Sequence, residues 1–148
     1  MNRVFPLMFH CEHTEPIPKS SFVLNGRPYD VPCVYMIWKR KDTERHIPPT
    51  IQPKGFRYVK ASELHHICVR RVGVYAGNCV KSGTKTCSPS SHYFISLDPL
   101  CETKIDTIIT TINQCNYVDN TVGPRSISKP EFNEKLNTII QSVIISSS

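Results

Sequence analysis

The segment His92–Ile112 reads HYFISLDPLCETKIDTIITTI and changes from a strand pattern to a helix pattern part-way along. Its first residues, up to Leu97, are rich in aromatic and β-branched side chains, which favours a strand. Asp98 then supplies an N-cap, with Pro99 at the first helical position. Four isoleucines follow at helical spacing, although the threonines between them leave a strand as the alternative: Ile105, Ile108, Ile109 and Ile112. A strand followed by a helix predicts an α+β protein.

Further strands are predicted upstream of this segment, in runs rich in β-branched and aromatic residues. The pair Asn25-Gly26 marks a tight turn before them. A charged, proline-containing stretch begins at Lys39 and is predicted to be an exposed basic loop. Together with His92–Leu97, the runs predict a central antiparallel sheet of about four strands. The three upstream runs are Val31–Trp38, Phe56–Ala61 and Val69–Ala76.

A second helix is predicted near the C-terminus. Ser128 and Glu131 form an S-x-x-E capping box, which is typical of a helix start. The apolar residues that follow lie on one helical face: Phe132, Leu136, Ile139, Ile140 and Val143. This face indicates a helix that packs on the core.

The chain contains 7 cysteines among 148 residues, with no C-x-x-C pair. The spacing is unlike that of four-ligand zinc modules, and the density is typical of oxidised, secreted domains. We therefore expect a disulfide-stabilised fold, with scattered buried thiols or a metal site as the alternatives. Cys79 and Cys87 lie in the two limbs of the loop GNCVKSGTKTCSPSS and are predicted to bridge them.

The charge of the chain favours acidic partners. The sequence has 18 Lys and Arg and 12 Asp and Glu. The resulting formal charge of +6 favours approach to phosphate-rich surfaces. No run approaches the roughly 20 apolar residues of a membrane span, so no membrane partner is expected. The start MNRVFPLMFHCEH has too short an apolar run for a signal peptide, and secretion would therefore imply a leader already removed.

Common enzyme signatures are absent from the sequence. There is no G-x-S-x-G, Walker loop, G-x-G-x-x-G or H-E-x-x-H motif, so neither a nucleotide cofactor nor any other cofactor is expected. The histidines cluster as His10 with His13 and as His65 with His66, at spacings that suit metal ligation poorly. They are interpreted as surface or hydrogen-bonded histidines, and no metal site is predicted.

Several short motifs follow one another between Phe9 and Leu100. They are Phe9-His10-Cys11, Ile17–Val23, the strand Tyr29–Trp38, the strand Gly55–Lys60 and the pair Arg71-Val72. In this order they resemble the RNase-like secreted effectors of powdery mildew fungi, relatives of the small fungal guanyl-specific ribonucleases. The corresponding features of that family are a Y-x-C motif, the opening of a single helix, the first and second central strands, and the Arg-Val pair of the third.

The resemblance implies an RNase-like core over about residues 9–100 within a single domain of residues 1–148, followed by a C-terminal helical extension over about residues 101–145. It implies a disulfide from Cys11 to Cys101 or Cys115. It also implies a secreted effector that reaches the cytoplasm of a plant host cell. There it would bind host RNA or defence proteins and be recognised by an immune receptor.

The catalytic residues of the active ribonucleases are mostly unmatched. That family carries a histidine on the first central strand, a glutamate base on the second, an arginine on the third and a histidine acid on the fourth. Here Arg71 matches, but Lys60 stands in the second strand, and Tyr35 and Trp38 stand in the first. Because the reaction needs an acid and base pair, the resemblance implies an inactive protein with no catalytic residues.

Cations and aromatic side chains are interleaved around the second and third predicted strands. Since cations contact phosphates and aromatic planes stack on bases, this region is the predicted RNA or partner surface. It comprises Arg57, Tyr58, Lys60, Arg70 and Arg71, beside Phe56 and Tyr75. The alternative is that these aromatics belong to the core and the cations to solvated strand faces.

Two other functions remain open. An active ribonuclease would use Glu63, His65, His66 or His92 as its acid and base. A viral or fungal interaction protein of unrelated fold would bind through the basic loop Lys39–Arg45.

Overall fold

A computed structural model describes residues 5–117 and 124–145. It contains helices and antiparallel sheets, so the predicted α+β class is confirmed. The chain divides into two units, Met1–Pro49 and Thr50–Ser148. That a single domain spans residues 1–148 stays a prediction.

The described part of the first unit, residues 5–49, contains four strands in two small sheets. Strands β1 (Phe9–Pro16) and β4 (Val34–Arg40) pair antiparallel, and β2 (Phe22–Leu24) pairs with β3 (Arg27–Tyr29). Asn25 and Gly26 both have positive φ, 51° and 74°, as a two-residue hairpin turn requires. The predicted tight turn is confirmed.

Two features that the family resemblance implied for this unit are wrong. The segment Ile17–Val23 does not open a helix, because Pro18 interrupts it and Phe22 begins strand β2. The strand within Tyr29–Trp38 is not a central strand of the larger sheet, since β4 pairs only with β1 among the described strands. Strand patterns predict local conformation and not the pairing partner.

Arg45 holds the start of the first unit together. Its guanidinium donates hydrogen bonds to the carbonyl oxygens of Pro6, at 2.6 Å, and Phe5, at 2.7 Å. The same group lies 5.2 Å from the centre of the Trp38 ring, on which Phe5 stacks at 4.5 Å. The predicted exposed loop, which runs from Lys39 to Gly55, is therefore only partly correct, because β4 continues to Arg40 and Arg45 has a structural role.

The second unit contains a four-stranded antiparallel sheet in the order β5-β8-β6-β7. Its strands are β5 (Phe56–Val59), β6 (Ile67–Arg70), β7 (Cys79–Lys81) and β8 (His92–Leu97). Strand β8 has the predicted bounds, His92–Leu97. Strand β5 begins at Phe56 as predicted and ends at Val59, two residues before the predicted end.

The third predicted strand, Val69–Ala76, is displaced in the structure. Strand β6 ends at Arg70, and the chain then leaves the sheet because Arg71 and Gly73 exchange backbone hydrogen bonds with residues 125–127. The chain returns as β7, which sequence reasoning assigned to a loop. Three residues are too few for a periodic pattern.

In the described residues, three helices follow the sheet: α1 (Pro99–Glu102), α2 (Ile105–Gln114) and α3 (Lys129–Ile145). Asp98 is the N-cap residue of α1, as predicted, but its side chain makes no capping hydrogen bond. The four isoleucines lie on the separate helix α2, whose N-cap residue is Lys104, so the predicted helix is divided in two. The Ser128 hydroxyl accepts a 3.4 Å hydrogen bond from the Glu131 N–H, which confirms the predicted cap of α3.

One hydrophobic core joins the sheet and the helices of the second unit. Its fully buried side chains come from both, including Ile67, Val69 and Ile95 from strands and Ile108, Phe132 and Leu136 from helices. The segment predicted as a C-terminal extension therefore contributes at least half of the core residues of this unit.

Asparagine side chains bind the backbone along this unit. On α2, Asn113 accepts from the Cys79 N–H at 2.7 Å and donates to the Cys79 carbonyl at 3.0 Å. On α3, Asn133 donates to the Ile51 carbonyl at 2.7 Å, and Asn137 accepts from the Lys54 N–H at 2.8 Å. These bonds fix the helices against β7 and the segment that enters β5.

We expect Gly77→Ala to lower the free energy of unfolding by about 1 to 3 kcal/mol more than Gly83→Ala does. Both glycines have positive φ, +103° and +81°, so the two variants share a backbone cost. A Cβ on Gly77 would lie 2.7 Å from Tyr117 Cε2, whereas a Cβ on Gly83 meets nothing within 4 Å. Urea unfolding of both variants measures the difference, and equal values would contradict the packing of Tyr117 on Gly77.

Candidate nucleic-acid interface

Two tyrosines define a cleft of about 250 Å³ where β5 ends and β8 begins. Tyr58 and Tyr93 project from the sheet face that carries the helices. We call this site the tyrosine cleft. The residues lining it are Tyr58, Val59, Lys60, Ala61, Pro89, His92, Tyr93, Phe94 and Lys129.

Hydrogen bonds at the phenol groups fix both rings. Tyr58 donates its hydroxyl to Asn133 Oδ1 at 2.7 Å, and Tyr93 donates to the Ile127 carbonyl at 2.9 Å. The ring centres lie 5.3 Å apart at an interplanar angle of 70°. The tyrosine cleft is thus built from two aromatic surfaces whose orientation is set before any ligand binds.

A cation lies over each of the two rings. Lys129 Nζ is 4.5 Å from the centre of the Tyr58 ring, and Arg71 Cζ is 5.9 Å from that of Tyr93. Arg71 also donates to the Ser90 carbonyl at 2.8 Å, which holds it next to the cleft. With Lys60 in the lining, positive charge borders the aromatic surfaces, which suits a phosphate-bearing ligand.

Both phenol groups have pKa values above their usual range. Burial, and then the neighbouring Tyr93, raise the pKa of Tyr58 well above its usual range. Burial also raises the pKa of Tyr93, against an opposing effect of the Arg71 charge. Both side chains stay neutral hydrogen-bond donors.

The acid–base residues of the alternative ribonuclease do not meet in the tyrosine cleft. His65 Nδ1 bonds the Glu63 carbonyl at 2.8 Å, and His66 Nδ1 accepts from the Leu97 N–H at 2.8 Å. His92 lines the cleft, with Nδ1 at 2.9 Å from Ser91 Oγ. Among the described residues, the lining contains that one histidine and no carboxylate.

The structure brings together only part of the predicted RNA surface. Tyr58 and Lys60 line the cleft and Arg71 borders it. Arg57 is exposed and, by strand alternation, points to the sheet face opposite Tyr58. Arg70 lies in a second cleft, where its Nε donates to the Val72 carbonyl at 3.1 Å.

Sequence reasoning missed Tyr93 and Lys129. Alternation along HYFISL places Tyr93 with Ile95 and Leu97 on one face, so this signal was present. No local signal connects Lys129 with Tyr58, because the tertiary fold alone brings α3 over β5.

All 7 cysteines are free thiols in the structure. The predicted bridges from Cys11 to Cys101 or Cys115, and between Cys79 and Cys87, stay predictions. Cys79 belongs to the core beneath the helices, where burial raises its pKa to about 12.

No protein-family model, curated protein or solved structure matches this chain. The resemblance to RNase-like effectors therefore stays a prediction. Within residues 5–117 and 124–145, no three or more His, Cys, Asp or Glu side chains are grouped to hold a metal ion. No helix in the described part of the chain combines the length and apolar character that crossing a bilayer requires.

Proposed function

We propose that this protein binds single-stranded RNA weakly through the tyrosine cleft and does not cleave it. In the same proposal it is a secreted fungal effector with an RNase-like ancestry, acting in the cytoplasm of a plant host cell. The RNA-binding part is supported by one observation above all, the two fixed tyrosine rings bordered by Lys60, Arg71 and Lys129. The effector part is supported by the motif order between Phe9 and Leu100, of which the helix opening at Ile17–Val23 and the central strand within Tyr29–Trp38 are not found in the structure.

The geometry favours unpaired bases. Stacking on Tyr58 or Tyr93 needs an exposed base plane, which a single strand offers and a duplex hides. The cleft volume of about 250 Å³ is below the roughly 300–1,000 Å³ typical of pockets that enclose a whole ligand. A base that takes the place of Lys129 or Arg71 over a ring, with the displaced cation on its phosphate, fits this size.

The lining of the tyrosine cleft supports binding without cleavage. Transfer of phosphoryl groups to the ribose 2′-hydroxyl needs a paired acid and base. The cleft offers His92 without a carboxylate partner among its described lining residues, and two neutral phenols.

We expect affinity for a fluorescein-labelled single-stranded RNA to fall as salt rises, because phosphate contacts release counterions. Anisotropy titrations at several salt concentrations measure this, with a duplex of the same length as control. The same RNA, incubated and analysed for 2′,3′-cyclic phosphate ends, should stay intact. Cleavage that disappears in His92→Ala would make the protein a ribonuclease, and equal binding of the duplex would contradict stacking.

A host protein partner is the second candidate. The first unit exposes apolar side chains on strands, with exposed fractions of 42%, 51% and 45% for Val34, Tyr35 and Ile37 of β4. Exposed apolar and aromatic side chains on one strand favour a protein interface. Salt-insensitive capture of a defence protein or immune receptor would support this function for β4.

A further inference from the structure

Cys68 and Cys79 lie on opposite faces of the sheet. Cys68 is in β6 between Ile67 and Val69, which face the helices, so its side chain points to the other face. Its cross-strand neighbours there are Val80 and Phe94. Cys68 is 2% exposed and does not belong to the helix-side core.

Cys87 lies over the face that carries Cys68. It lines a second cleft of about 200 Å³ on that face, together with Arg70, Tyr75, Asn78, Val80, Lys85, Thr86 and His92. Val80 is the direct strand partner of Cys68 and shares the lining of this cleft with Cys87, so the two cysteines are neighbours on one sheet face. Neighbouring cysteines on a strand and on the loop above it are a pair that a disulfide can join.

We propose that Cys68 and Cys87 form a disulfide on exposure to a small disulfide oxidant such as glutathione disulfide. The Cys87 thiolate attacks one sulfur of the oxidant and releases one glutathione thiolate. The Cys68 thiolate then attacks Cys87 in the mixed disulfide and releases the second. Two protein thiols are oxidised, one small disulfide is reduced, and the two protons end on the released thiols.

The order of these steps follows from access. Cys87 is partly exposed in the second cleft, where Arg70 and Lys85 attract the carboxylates of glutathione. Cys68 is buried, and burial, followed by the neighbouring Cys87 thiol, raises its pKa to about 12. The accessible thiol therefore reacts first, and the buried one closes the bond.

The bond would fix the loop that forms one wall of the tyrosine cleft. Within three residues of Cys87, the Ser90 carbonyl holds Arg71 at 2.8 Å, and the Ser88 carbonyl lies 3.1 Å from His92 Nδ1. Pro89 lines the cleft itself. Oxidation should therefore stabilise the arrangement that binds RNA, a consequence that rests on the proposed function.

Disulfide mapping tests the bond independently of RNA. The full chain is equilibrated with glutathione disulfide, alkylated and digested with trypsin and chymotrypsin. Cleavage after Tyr93 or Phe94 separates Cys87 from Cys101. We expect a linked peptide pair containing Cys68 and Cys87, lost in Cys87→Ser and kept in the exposed-thiol control Cys11→Ser. Cys87 joined to Cys79, or Cys68 and Cys87 both alkylated at equilibrium, would overturn the proposal.

A second measurement separates the bond from its consequence. We expect oxidised protein to bind single-stranded RNA about threefold to tenfold more tightly than reduced protein, because fewer groups are ordered on binding. Cys87→Ser should abolish this difference, and Cys11→Ser should keep it. A mapped bond with equal affinities would refute the link to the cleft, whereas no RNA binding in either state would refute the proposed function and leave the bond established.

Discussion

Replacing Phe132 with alanine should lower the free energy of unfolding of the second unit by about 3 to 5 kcal/mol. Phe132 is fully buried on α3, with its ring centre 6.5 Å from that of Phe56 and 6.2 Å from that of Tyr93. Removal of the ring leaves a cavity between the helix and two strands, which the rigid sheet cannot fill. Urea unfolding followed by far-UV circular dichroism measures the loss.

Glu134→Ala is the matched control for this prediction. Glu134 is exposed on the same helix, so its replacement should change the free energy of unfolding by no more than about 0.5 kcal/mol. Equal stabilities of the Phe132 and Glu134 variants would mean that α3 is not part of the core.

The combined change Lys60→Gln, Arg71→Gln and Lys129→Gln should weaken binding of single-stranded RNA about a hundredfold at about 50 mM salt. Each cation borders the tyrosine cleft, and each phosphate contact contributes about 0.7 to the slope of log affinity against log salt for a single strand. Removing the three contacts should reduce that slope by about 2. Anisotropy titrations from low to high salt give both quantities.

Arg57→Gln provides the control on the same strand. Arg57 points away from Tyr58, so its loss should leave the salt slope within the error of the parent protein. Circular dichroism spectra of all variants must coincide, which excludes unfolding as the cause. A triple variant with weaker binding but an unchanged slope would place the phosphate contacts elsewhere.

Sequence reasoning succeeded where neighbouring residues determine the conformation. The strand His92–Leu97 has a strand composition, the turn Asn25-Gly26 needs positive φ, and α3 begins at the cap formed by Ser128. Strand pairing was less predictable, because β4 and β5 have similar compositions and join different sheets. Strand propensity measures how well a segment fits a strand, and it does not identify the strand with which the segment pairs.

For the same reason, the sequence predicted some residues of the tyrosine cleft and missed others. Tyr58 and Lys60 are close in sequence, and their types suggested the surface. Arg57 was included because sequence proximity concealed the alternation of strand faces. Lys129 was missed because it meets Tyr58 only after α3 packs against the sheet.

The side-chain amide of Asn113 also affects whether a further strand can pair with the edge of the four-stranded sheet. Its oxygen accepts a hydrogen bond from the Cys79 N–H, and its nitrogen donates one to the Cys79 carbonyl. Cys79 lies on the edge strand β7, so the amide makes the two hydrogen bonds that the backbone of an added strand would make. A strand from a second copy or from another protein would have to displace this amide before it could pair with β7. The side chain thus protects the β7 edge of the sheet against pairing with a further strand, a contact through which exposed sheet edges aggregate.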